Sequence, residues 1–157
     1  MYENVVGLKA GLAPFTRMLD FGGRSTRTEL LCYFILAWLV SAIVGYVLMV
    51  AGVAEAGLPV TAIAVVKLLL LLPYPALVTR RLHDQGRPGW LAILFFAPTA
   101  ASWIFGRAAT GNSVIDLPLA LLGLVMFLAL FLPQQDGPNA YGPDPRLDPA
   151  EQGLAVE

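Results

Sequence analysis

The sequence predicts an all-α integral membrane protein: a four-helix bundle, preceded by an amphipathic interfacial helix and followed by a proline-rich tail. Three observations predict it. Of its 157 residues 57% are hydrophobic and only 13% charged, with a mean hydropathy of +0.70; a soluble domain carries about 25% charged residues. Most of the charges sit near the start, in one short central segment and in the tail, with long apolar stretches between them. Lysine and arginine are shared unevenly among the polar segments, which is how a multi-pass chain sets its orientation.

Val5, Leu8, Leu12, Phe15 and Leu19 recur at spacings of three and four, with Glu3, Lys9, Thr16, Arg17 and Asp20 on other faces. That is an amphipathic helix, placed either along the headgroup layer or on the protein's own surface. Pro14 is expected to kink or split it. Phe21-Gly22-Gly23-Arg24 breaks the pattern, and Thr26 with Glu29 has capping-box spacing.

The first span is expected over residues 30–54, without a charge. The second covers 60–79 and contains Lys67 and Pro73-Tyr74-Pro75. Those prolines free backbone carbonyls, so the bend should face protein or water and not lipid. The third covers 90–105, interrupted by Pro98, and the fourth covers 114–132, with Asp116 and Pro118 near its start. Residues 1–149 form one helical membrane domain. Residues 150–157 have too little apolar content to fold alone and are expected to be disordered.

Lys9, Arg17, Arg24 and Arg27 precede the first span, and Arg80, Arg81 and Arg87 follow the second. The connection after the first span has no lysine or arginine, and the one after the third has only Arg107. Both termini and the central loop are therefore expected in the cytoplasm. Four crossings would then bring Arg24, Arg27, Glu29, Arg80, Arg81, His83, Asp84, Arg87, Tyr141 and Asp144 to one cytoplasmic face.

Several function classes lose support here. A net charge of -1 gives nucleic-acid binding no footing. Cys32 is the single cysteine, which excludes an intrachain disulfide and a cysteine-built zinc site. His83 is the single histidine, so one chain cannot build a multi-histidine metal site. No cofactor is expected, and the first residues do not read as a cleavable signal peptide.

Three polar motifs remain. Phe21-Gly22-Gly23-Arg24-Ser25-Thr26-Arg27-Thr28-Glu29 leads into the first span. Arg80-Arg81-Leu82-His83-Asp84 with Gly86-Arg87-Pro88-Gly89-Trp90 forms the central loop. Asn139-Ala140-Tyr141-Gly142-Pro143-Asp144-Pro145 closes the chain. In order and spacing they resemble the bacterial inner-membrane family known as domain of unknown function 805. Pro88 stands where that family usually has serine, and Leu30-Leu31 replace its usual aromatic residues. The resemblance implies a small helical inner-membrane protein and brings no activity with it.

The arginines read either as anchors at helix ends, snorkelling to lipid phosphates, or as a pocket for a phosphate-bearing headgroup. His83 and Asp84 are adjacent in sequence and so do not face each other on a helix. His83 is expected to reach Glu29 or Asp144, and Asp84 to close a turn with Gln85-Gly86. Asp144 is expected to meet an arginine within a rigid tail clip.

Lys67 lies near mid-span, where a charge needs a partner; Asp116 is the expected one and Glu55 is another. The leading expectation is a non-enzymatic module that binds a membrane-protein partner or an anionic lipid at its cytoplasmic face. A transporter or channel accessory subunit using Lys67 and Asp116 is the alternative. A lipid-modifying enzyme centred on His83 would further need a nucleophile and an oxyanion hole; Ser25 is the nearest nucleophile.

Overall fold

The structure, a computed structural model, describes residues 7–51, 58–105, 114 and 116–147; the side chains of 58–64, 99–105 and 116 lie outside that description. Glu55, Arg107, Asp116's side chain and the tail from 148 onward are thus expectations outside the described residues. Among those described, the chain is helical: α1 (Leu8–Thr16), α2 (Arg27–Val50), α3 (Leu58–Leu71), α4 (Tyr74–Asp84), a 3-10 turn (Gly89–Leu91), α5 (Ala92–Phe105) and α6 (Asp116–Ala129).

Thr26 holds an extended backbone, and its hydroxyl accepts the Glu29 N–H at 3.1 Å, so α2 starts where the cap predicts. The return half of the capping box does not form, because the Glu29 carboxylate turns to Ser25 and Arg80. With 24 residues, α2 is about 36 Å long. It is the one described helix long and apolar enough to cross a bilayer unaided.

The expected second span is two helices. Pro73 and Pro75 have no N–H to give, so the ladder breaks after α3. Leu72 closes a tight turn on the Leu69 carbonyl at 3.3 Å. The Leu70 carbonyl accepts the hydroxyl of Tyr33 from α2, so at this point the break faces protein. The chain restarts as α4 with Pro75 in its first turn, a position that needs no N–H.

Pro14 does not split α1. It lies buried, only two residues from the end, with the Arg17 N–H closing on its carbonyl at 3.3 Å. Few hydrogen bonds lie beyond it to be lost. Gly11 lets α1 approach α2 closely: a Cβ there would stand 3.0 Å from the Cys32 carbonyl oxygen.

The core joins Leu30 and Tyr33 of α2 to Leu77, Val78 and Leu82 of α4, with Ala92 and Leu130. Rings extend it toward α5 and α6: Phe34 meets Tyr74 and Phe127 edge-on, and Tyr74 meets Phe96. Outside this centre, Ile35, Trp38, Leu68, Ile93, Leu121 and Leu128 point outward. That is the pattern of a chain whose outer surface is solvated by lipid, not water.

The helix within the stretch expected as a fourth span ends before residue 132. α6 stops at Ala129, and Leu130 to Leu132 form turns in which the carbonyls of Leu130 and Leu132 are taken by side chains of α4 and the residue after it.

Candidate functional site

The start of α2, the end of α4 and the end of α6 meet at one end of the molecule, where the tail lies over them. Buried polar groups concentrate there: Arg24, Ser25, Arg80, Arg81, Asp84 and Asp144. A charge removed from water needs a partner at hydrogen-bond distance.

Arg81 is fully buried. Its Nε donates to the Leu130 carbonyl at 2.6 Å, Nη2 donates to Leu132 at 2.7 Å, and Nη1 pairs with Asp84. These carbonyls follow α6 and lack helical partners, so Arg81 closes the negative end of that helix. Gln85 does the same, donating to Ala129 at 3.0 Å and Leu130 at 3.1 Å.

Arg24 approaches from the loop before α2. Its Nε meets Asp84 Oδ1 at 2.9 Å, and its other nitrogens donate to the carbonyls of Gln135 at 2.6 Å and Gly137 at 2.5 Å. Two guanidinium groups thus share one carboxylate, and backbone oxygens take the remaining N–H bonds. Asp84 faces inward and is not the cap of its own turn, a correction to the sequence expectation. The reason is that only inward rotation gives two buried cations their counterion.

Arg80, also fully buried, donates to the Arg17 and Asp20 carbonyls at 2.8 and 2.7 Å and stands 3.6 Å from Glu29. It fastens the loop after α1 to α4. Ser25 donates to Glu29 at 2.6 Å and is fully buried, which leaves its hydroxyl committed.

His83 meets neither Glu29 nor Asp144. Its Nδ1 lies 3.2 Å from the Gly23 carbonyl, which can only accept, so Nδ1 carries the proton. Its ring stacks flat on Tyr141 with centroids 3.9 Å apart, and its own carbonyl accepts from Asn139 at 2.9 Å. Burial pulls the imidazole below its ordinary value, against the opposing Gly23 bond.

Asp144 does meet an arginine, but one only two residues away. Arg146 bonds it through Nε at 2.9 Å and again through Nη2, and the Gly137 N–H adds 3.2 Å. Desolvation would raise this carboxyl, yet the Arg146 side-chain and backbone bonds hold it below the usual carboxylate range.

Two cations of the expected cluster stay outside it. Arg27 and Arg87 are exposed and have no hydrogen-bond or ion-pair partner among the described residues. Lys67 is exposed on α3, and the side chain expected to pair with it, that of Asp116, lies outside the description. Among the described residues no group of three or more His, Cys, Asp and Glu could hold a metal ion.

Gln85, Asn139 and Arg146 were not singled out by their sequence pattern. Gln85 lies in the loop motif, and Asn139 opens the closing one; those motifs were the available signals.

The contacts made by Arg24, Arg80, Arg81, His83, Asp84 and Asp144 at this end all come from the three motifs, which lie within or beside the segment that a family profile matches. The profile of "Protein of unknown function (DUF805)" covers residues 18–143. The chain belongs to the DUF805 family. Its relatives include the inner membrane protein YhaI of Escherichia coli K12, 28% identical over 87% of this chain and 94% of its own length. The inner membrane protein YhaH of the same organism is 27% identical over 83% of this chain and 91% of its own. Such relatives support a bacterial inner-membrane location for this DUF805 chain. No solved structure matches it.

Proposed function

We propose that this DUF805 chain is a four-pass inner-membrane module with its arginine-rich end in the cytoplasm. There it binds an anionic lipid headgroup and catalyses no reaction. The crossings are α2, α3 with the first turns of α4 up to Thr79, α5 and α6, and α1 lies at the cytoplasmic interface beside them. The excess of lysine and arginine in segments 1–29 and 80–89 supports this orientation.

One observation carries the binding reading. Arg24 and Arg81 are consumed by the protein's own carbonyls and by Asp84, and Arg80 is buried with Nη1 on two carbonyls and Nη2 3.6 Å from Glu29, whereas Arg27 and Arg87 remain exposed and unpaired among the described residues. Trp90, three residues from Arg87, is also exposed, as befits an aromatic ring at the headgroup level. An exposed cation near the surface of an anionic membrane contributes about 1 kcal/mol to lipid attraction.

Catalysis at His83 has little to support it. Its ring partners are a backbone carbonyl and Tyr141, and Ser25 is buried against Glu29. The transport reading uses Lys67, exposed on α3, with Asp116, whose side chain lies outside the described residues.

Native mass spectrometry from nanodiscs of mixed phosphatidylethanolamine and phosphatidylglycerol tests the proposal. Wild type should retain phosphatidylglycerol, and Arg27→Gln/Arg87→Gln should lose most of it with little change in melting temperature. Equal retention by both proteins, or retention of a protein partner in place of lipid, would remove the lipid reading.

A further inference from the structure

We infer that the leucine face of α1 is inserted among the acyl chains of the cytoplasmic leaflet. This rests on the orientation proposed above, and it names what covers that face.

The side of α1 that packs on the protein is made of small residues and one ring, Phe15, whose centroid lies 6.0 Å from that of Tyr33. Ala10, Gly11 and Pro14 are buried, while Leu8 is 67% exposed, Leu12 46% and Leu19, just beyond the helix, 82%. An amphipathic helix on a soluble protein does the reverse, turning its large apolar residues inward. Here the protein takes the small residues and Phe15 and leaves the three leucines to another apolar phase.

The level at which α1 lies says which phase. Gly11 meets α2 at Cys32 and Leu36. Those residues are about 8–14 Å along the helix axis from Arg27, at a rise of 1.5 Å per residue. With Arg27 at the headgroups, α1 sits at the acyl boundary, about the depth of an interfacial helix. The outward surface of α2 at the same level, Leu31 and Ile35, is apolar and exposed. The leucines of α1 therefore continue the lipid-facing surface of the first span.

The polar groups flanking that face fit the same placement. Lys9 is exposed and has a stem long enough to reach the headgroups. Arg17 pairs with Asp20 at 2.8 Å at the exposed end of α1. Arg80 then bonds the carbonyls of these same two residues, so the lipid-inserted helix is fixed to the end of α4 and not left to float.

The test uses Leu12→Cys in a Cys32→Ala chain, labelled with an environment-sensitive fluorophore and reconstituted into nanodiscs. Leu19→Cys provides a second site, and a monodisperse elution profile confirms folding. Lipid spin labels near the top of the acyl chains should quench both probes several-fold more than aqueous iodide does. Stronger quenching by iodide would overturn the inference by placing the face in water. Protection from both quenchers would overturn it as well, because protein, such as a second copy, would then cover the leucines. Phosphatidylglycerol retention through Arg27 and Arg87 is read independently, so either proposal can fail alone.

Discussion

Arg81 shows how one residue organises the polar end. Its three guanidinium nitrogens, fully buried, each take one partner: two carbonyls beyond α6 and one carboxylate. Removing one partner of a buried pair leaves the other unpaired and costs about 3–5 kcal/mol. Arg81→Ala should therefore lower the melting temperature in detergent sharply and reduce membrane abundance. Arg81→Lys should recover only part, because an ammonium lacks the planar fork. An unchanged melting curve for Arg81→Ala would mean that the guanidinium does not hold the tail.

His83 gives the polar end a pH dependence. Its folded-state value is lowered by burial, so folding favours the neutral ring. The stability it contributes is fully present above its ordinary value near 6.5 and is lost as pH falls through the lowered folded value. Wild type should melt at a lower temperature at pH 5 than at pH 8, and His83→Asn should flatten that difference. A slope of the same size in both proteins would assign the effect elsewhere.

The residues of this cluster were legible in sequence because charges are rare in so apolar a chain. Their partners were less so. Arg24 and Arg81 bind mostly to backbone carbonyls, and a carbonyl has no letter in the sequence. The same blindness misplaced His83, which was expected at Glu29 or Asp144 and stacks on Tyr141 over a Gly23 oxygen. Asp84 was expected to cap a local turn, but the demand of two buried cations outweighs an Asx contact.

At the scale of elements, periodicity and caps located the helices well. α2 starts at its Thr26 cap, and the proline pair divides the apolar stretch expected to be a second span into α3 and α4, as the missing N–H groups require. Pro14 does not split α1, because a proline near the end of a packed helix has little ladder left to break. The α3–α4 break depends on the Tyr33 hydroxyl, which satisfies the Leu70 carbonyl. Tyr33→Phe keeps the ring and removes only that bond. It should cost about 1–3 kcal/mol if the carbonyl is left buried and unpaired. Thermal melts in detergent measure this, and equal stability would show that the carbonyl finds another partner. The far ends of α3, α5 and α6 adjoin residues outside the description, so expectations about Glu55, Arg107 and Asp116 remain expectations.

For the whole molecule, three motifs far apart in sequence close one end of a bundle whose outer surface is apolar. Burying Arg24, Arg80 and Arg81 there uses their charge to fasten the α1 loop, the end of α6 and the tail onto α4. Arg27 and Arg87 are left exposed, available to the headgroups proposed above. This division between structural and available arginines could not be read from sequence, since all five sit in comparable motifs. Its functional meaning depends on which side of the membrane the closed end faces.

Ala140 is exposed on the tail at that end and offers a direct handle. Ala140→Cys in a Cys32→Ala chain can be treated with a membrane-impermeant maleimide in sealed right-side-out and inverted vesicles. Labelling confined to inverted vesicles is the expected result, since they turn the cytoplasmic side outward. Labelling confined to right-side-out vesicles would contradict it, putting the arginine-closed end outside the cell and removing the site proposed for anionic headgroups.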